Sequence, residues 1–257
     1  MKIGMMNNPS KSVYDQAAYC GRAGFDFLDL TLEGPKADIV DASRLQAVLD
    51  QHGLFVIGHT DPCLPYAYPI QGIRDACLKE LERCARIFSD LGAKIMNIHP
   101  CYLSPPAMRK DRVVFHQAAL KPIVSMAESF GLTLVLENFQ APFDRVSTFK
   151  ALLDEVPGLK LHLDFGHTNF GRDGHDLFCR ELGEHLCHVH FSDNRARFDE
   201  HMPLGVGTVD WKGAVASLKA AGYDDTITLE VFCNDPAMQG HYLNLNQEWV
   251  RALWKEG

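Results

Sequence analysis

The sequence predicts an α/β fold, a single (β/α)8 TIM barrel, on three observations. Eight short apolar or β-branched runs recur along the 257 residues, with starts 23 to 40 residues apart, the length of a strand, a loop, a helix and a return loop. Helical periodicity fills the intervals, and no linker, low-complexity tract or composition shift divides the chain. Histidines and carboxylates gather at the C-terminal ends of the runs, where such a barrel carries its chemistry. Residues 1–257 are expected to form one domain.

The expected strands are Lys2 to Met6, Phe25 to Leu32, Leu54 to His59, Lys94 to His99, Leu132 to Asn138, Lys160 to Phe165, Cys187 to Phe191 and Thr226 to Val231. Gly24, Gly53, Gly92, Gly131, Gly158 and Gly222 stand one to four residues before a strand, where a helix C-cap favours positive φ. Between strands, Ile73, Cys77, Leu81, Cys84, Ile87 and Leu91 recur at helical steps, and the last helix is expected over Leu245 to Lys255. The Tyr- and Pro-rich segment from Thr60 to Pro69 is long enough for a lid or an ordered rim loop.

From the third strand onward each run carries a metal-type ligand at or near its C-terminal end: His59 in V-I-G-H, His99 in M-N-I-H-P, Glu137 in V-L-E-N, Asp164 in H-L-D-F-G-H, His190 in H-V-H-F and Glu230 in T-L-E-V. Side chains two apart on a strand share a face, so Asn97 with His99, His162 with Asp164, His188 with His190 and Thr228 with Glu230 point into the barrel. Their neighbours Ile98, Leu163, Val189 and Leu229 point toward the helices. His167, Asp199 and His201 follow in loops and bring the candidates to nine. Three carboxylates crowded at one mouth repel each other unless protonated or joined by a cation, so a divalent metal is expected; mixed Asp, Glu and His ligation suits zinc, manganese or iron. His162 and His188 are expected one layer deeper, and His52, His116, His175, His185 and His241 at the surface.

The net charge of −8 disfavours nucleic acid and acidic membranes as partners, and no run reaches the length of a membrane span. No secretory leader pattern opens the chain, and the eight cysteines form no C-x-x-C pair; a cytoplasmic address with reduced, mostly buried thiols is the expectation. A homodimer is expected on base rates alone.

The ordered segments V-L-E-N-F, H-L-D-F-G-H, H-V-H-F-S-D-N, D-E-H-M-P-L-G-V-G-T-V-D-W and T-L-E-V resemble the xylose-isomerase-like TIM-barrel superfamily. That group holds sugar and sugar-phosphate isomerases and epimerases together with endonuclease IV. Its epimerase branch implies Glu137, Asp164, His190 and Glu230 as ligands of one divalent ion, with His167 at a substrate oxygen. Its endonuclease branch implies three zinc ions on His59, His99, Glu137, Asp164, His167, His190, Asp199, His201 and Glu230. The chain departs from that branch in its opening strand, K-I-G-M-M-N, and in G-V-G where the branch has G-E-G.

The expected activity is isomerisation or epimerisation of a sugar, sugar phosphate or related polyol. Glu137 and Glu230, roughly opposite around the barrel, would move a proton at the carbon beside a metal-bound carbonyl. His59 and His99 would bind hydroxyls, Arg195 and Arg197 a phosphate or carboxylate, and Phe139, Phe165 and Phe232 would wall the pocket. The alternatives are an endonuclease IV-like phosphodiesterase acting on abasic DNA and a sugar-acid or inosose dehydratase.

Overall fold

The computed structural model describes residues 1–103, 105–233 and 235–256, in which eight parallel strands close into one barrel in chain order. They are β1 (Lys2–Met6), β2 (Phe27–Leu32), β3 (Phe55–Thr60), β4 (Ile95–Ile98), β5 (Thr133–Glu137), β6 (Lys160–Asp164), β7 (Leu186–Phe191) and β8 (Thr226–Leu229). Around them run α1 (Val13–Arg22), α2 (Ala42–His52), α3 (Gln71–Asp90), α4 (Arg112–Ser129), α5 (Val146–Glu155), α6 (Phe165–Phe170), α7 (His175–Leu182), α8 (Trp211–Ala220) and α9 (Pro236–Glu256). No helix among the described residues is long and apolar enough to cross a membrane.

Local chemistry sets many of the element ends. Ser12, Asp41 and Asp210 cap α1, α2 and α8 by accepting from the N–H groups of Asp15, Arg44 and Gly213, contacts worth about 1 kcal/mol each. Gly53 ends α2 at φ 66° and donates to the Leu49 and Asp50 carbonyls; the other five expected cap glycines also have positive φ.

Outside the barrel, Leu28, Leu30, Leu134, Leu136, Leu161, Leu163, Val189, Ile227 and Leu229 are buried in the apolar core. Inside, Phe27 fills the lower part; a Cβ on Gly4 would overlap its ring. Above it the barrel turns polar. His162 lies level with His188, Asp164 with His190 and His59 with Asn97, as the parity of the strands requires.

Several expectations are corrected. The last helix begins at Pro236 rather than Leu245, because polar bonds rather than an apolar stripe hold its first turns: Gln239 donates to the Val231 carbonyl and Tyr19 to that of Gly240. His116 is buried, its Nδ1 donating to Arg112 O at 2.6 Å and its Nε2 accepting from the Cys101 N–H at 2.9 Å. His52, His175 and His185 are half-buried, and His241 is exposed. The Thr60 to Pro69 segment is an anchored rim loop: Tyr66 and Ala67 are buried, and Arg74 donates to the Tyr68 and Pro69 carbonyls. All eight cysteines are free; five are buried, Cys187 and Cys233 half-buried and Cys63 exposed.

Candidate active site

At the C-terminal end of the barrel the strands converge on a cavity of about 430 Å³ whose lining includes His59, His99, Phe139, His167, Asp199, His201, Glu230 and Phe232. Glu137, Asp164, His190 and Glu230 each offer a ligand atom, and the four atoms lie within 4.8 Å of one another. Glu137 and Asp164 are the last residues of β5 and β6, His190 is the penultimate residue of β7, and Glu230 directly follows β8. Strand geometry therefore aims all four at one point.

Glu137 is fully buried against imidazoles. Its Oε2 accepts from Asn97 Nδ2 at 2.7 Å and lies 3.2 Å from both His99 Nε2 and His162 Nδ1, while His167 Nδ1 stands 3.4 Å from Oε1. Burial alone would raise this carboxyl, but His99 and His162 hold it well below the usual carboxylate range. Asp164 goes the other way. Burial raises it to about 7, and Glu137, Glu230 and Asp199 add to the rise against the pull of His167. Its Oδ1 caps α6 through the His167 N–H at 2.7 Å, leaving Oδ2 buried with no partner.

His190 joins two carboxylates, Nδ1 to Glu230 Oε2 at 3.0 Å and Nε2 to Asp29 Oδ2 at 2.8 Å. Burial opposes its charge, but these two contacts hold it well above the ordinary imidazole range. Asp29, in the middle of β2, was missed among the sequence candidates. Its Oδ2 also accepts from Thr228 at 2.7 Å and lies 3.2 Å from His188 Nε2, so it fixes the row beneath the site. The signal was the F-L-D-L-T-L alternation, which gives Asp29 the inward parity of Thr31.

Asp199 Oδ2 lies between His167 Nε2 at 3.1 Å and His201 Nε2 at 2.9 Å. His201 has φ 47°, a left-handed conformation that costs a side-chain-bearing residue about 1 kcal/mol or more. Bonds from Phe232 N to its carbonyl and between Asp193 and Met202 fasten it, and its Nδ1 stands 3.6 Å from Glu230 Oε2. Burial lowers His201, but Glu230 and Asp199 raise it to about 9. His59, His99 and Glu137 also converge within 4.8 Å, so Glu137 belongs to two ligand groups.

These residues fit a divalent cation. The donor set is mixed carboxylate and imidazole, and Glu137 Oε1, Asp164 Oδ2, His99 Nδ1, Asp199 Oδ1 and His201 Nδ1 are buried without a hydrogen-bond partner. The proton that burial keeps on Asp164 to about pH 7 is what a cation displaces.

Other expected site residues lie elsewhere. Arg195 is exposed and paired with Glu200 at 3.0 Å, Arg197 is exposed, and neither lines the cavity. Phe165 is buried beside Phe191 and His175, so of the three expected wall aromatics only Phe139 and Phe232 reach the cavity. Glu33, absent from the sequence candidates, lines it.

A family model described as xylose isomerase-like TIM barrel matches residues 17–253. An uncharacterized protein of Methanocaldococcus jannaschii is 26% identical over 160 residues; that match covers 55% of this chain and 52% of the relative, about half the relative's length. L-ribulose-5-phosphate 3-epimerase UlaE of Salmonella paratyphi C is 24% identical over 245 residues, covering 89% of this chain and 85% of that protein. A solved structure of a D-tagatose 3-epimerase-like protein superposes with a TM-score of 0.84 at 21% identity, over 98% of this chain and 99% of that one. With the family match spanning nearly the whole barrel and its candidate site, this chain belongs to the xylose isomerase-like TIM barrel family.

Proposed function

We propose that this protein is a divalent-metal-dependent epimerase or isomerase of a ketose or related polyol, working by proton transfer at the carbon beside a carbonyl. The observation that carries the reading is the convergence of Glu137, Asp164, His190 and Glu230, whose ligand atoms lie within 4.8 Å of each other, with Glu230 lining the cavity. The 3-epimerase relative, which aligns with most of the chain, supports it. So do the epimerase structures that share the fold.

Glu137, Asp164, His190 and Glu230 would hold the ion, which when bound supplies Lewis acidity to a carbonyl and its neighbouring hydroxyl. Glu230 lines the cavity and is the carboxylate presented to a substrate carbon. Glu137, three strands away and packed against His99 and His167, is the partner that exchanges a proton on the other face. His167 is positioned to hydrogen-bond a substrate oxygen, its ring oriented by the Asn138 carbonyl at 2.7 Å and by Asp199. Phe139 and Phe232 keep water from the reacting carbon.

A second reading, a trinuclear phosphodiesterase, is favoured by one observation: Asp199 between His167 and His201, with His59 and His99 sharing Glu137, supplies ligands for two further ions. Elemental analysis of protein purified without chelators separates the two. About one manganese, iron or zinc per chain is the expected result; close to three zinc ions, with nicking of abasic duplex DNA, would replace the epimerase reading.

A further inference from the structure

The cavity has two unlike halves. The four clustered ligands come from β5 to β8, whereas the ends of β1 and β2, the strands that follow β8 around the closed barrel, contribute Asn8, Thr31 and Glu33. Thr31 lies level with His59 and so faces inward; it is 1% exposed, and its buried hydroxyl makes no bond of standard geometry but sits close enough to the Glu33 carboxyl to favour that group's charge. Thr31 and Glu33 therefore form one polar patch on the cavity wall. Glu33 is half-buried beside it, and burial, with the charges of Asp61 and Glu230, raises its carboxyl above the usual range against the pull of His99.

No lysine or arginine stands among the described residues lining this cavity. Lys11 lines a neighbouring cavity of about 360 Å³ that shares Met6, Asn8 and Phe232 with it. A phosphate drawn into the β1–β2 half would meet the Glu33 carboxyl with no lysine or arginine lining the wall beside it. Sugar hydroxyls suit the same wall, since a hydroxyl donates to the Glu33 carboxylate and accepts from Thr31.

We propose that Glu33, with Thr31, binds the hydroxyl end of an uncharged ketose and excludes the phosphorylated form, making Glu33 the specificity-determining residue of this site. The proposal rests on the epimerase reading. It concerns the end of the substrate away from the reacting carbon, so a change there alters the choice between sugars and leaves the ligand cluster intact.

The test compares D-fructose, D-tagatose and L-ribulose with their terminal phosphates, reading deuterium incorporation from solvent by the metal-loaded full chain. Calorimetric titration with each sugar gives the same contrast without turnover. The wild type should favour the free ketoses by about tenfold or more in kcat/KM. Glu33→Gln should lower kcat/KM for the free ketoses about tenfold with unchanged metal content, and Glu33→Lys should turn the preference toward the phosphates. A wild type that prefers phosphates, or a Glu33→Gln variant with an unaltered ratio, overturns the proposal while leaving the epimerase reading standing. If Lys11→Met then abolishes the phosphate preference, the phosphate belongs to the neighbouring cavity. No exchange on any of the six sugars by protein holding its full metal complement overturns both.

Discussion

Asp29 shows how a buried carboxylate tunes a site it does not line. By holding His190 Nε2, it leaves Nδ1 aimed at the Glu230 and Asp164 side of the cluster. Asp29→Asn should weaken metal binding about 10- to 100-fold in a metal titration. Asp29→Ala should in addition cost about 3–5 kcal/mol in urea denaturation, because His190 and His188 lose their buried partner. Sequence pattern made the strand-end residues legible because ligand type and position coincide there. Asp29, in mid-strand, could be found only by parity. His116 was illegible for another reason: its partners, the Cys101 N–H and the Arg112 carbonyl, are backbone groups, which leave no mark in composition. Burial depresses this imidazole to about 4. An unfolded chain takes up the proton near pH 6.5, about the free imidazole value, so the folded state binds fewer protons between about pH 4 and 6.5. The stability from His116 is therefore complete above that range and is lost as pH falls through it. The wild type should lose about 1–2 kcal/mol more than His116→Gln between pH 7 and pH 5, measured by urea denaturation.

The decisive element is the long connection after β7. It carries Asp199 and His201, and a fully buried residue, Asp193, ties it down. Asp193 Oδ2 accepts from Gly205 N at 2.8 Å and Trp211 Nε1 at 3.0 Å, Oδ1 from Val209 N at 3.1 Å, and its backbone pairs with Met202. Gly207 packs so closely that a Cβ would overlap the Asn194 carbonyl and the Asp193 carboxylate. Asp193→Ala should destabilise the protein by about 3 kcal/mol or more, leaving several donors unpaired, while the metal content of the folded protein stays near that of the wild type, because the Glu137, Asp164, His190 and Glu230 cluster lies outside this loop. Denaturation and elemental analysis of the same sample check both. The sequence signals the residue types of this loop but not its path, because one carboxylate bonding residues as many as 18 positions away sets that path. For the same reason Arg195 and Arg197, anion ligands by composition, do not line the cavity.

At the scale of the molecule the barrel was legible almost entirely. Eight strands separated by helices, with glycine caps between, admit few closed arrangements, and the strand order follows the chain without exception. The interior records the functional compromise. Fully buried Asp29, Glu137, Asp164, His162, His188 and His190 occupy volume that an inert barrel fills with aliphatic side chains. A cation binding this folded cluster and not the unfolded chain stabilises the whole fold, by about 2.7 kcal/mol at a free metal concentration about 100 times Kd. Chelation should lower Tm accordingly, and re-addition of manganese, iron or zinc should restore it. The most direct measurement on the proposed chemistry is solvent deuterium incorporation at the carbon beside the carbonyl of a ketose, followed by NMR with wild type, Glu137→Gln and Glu230→Gln. The expected result is incorporation by the metal-loaded wild type and a loss of about a hundredfold or more in each variant. Full exchange retained by both variants, or a metal-loaded wild type that leaves every ketose unlabelled, would contradict proton transfer by these two carboxylates.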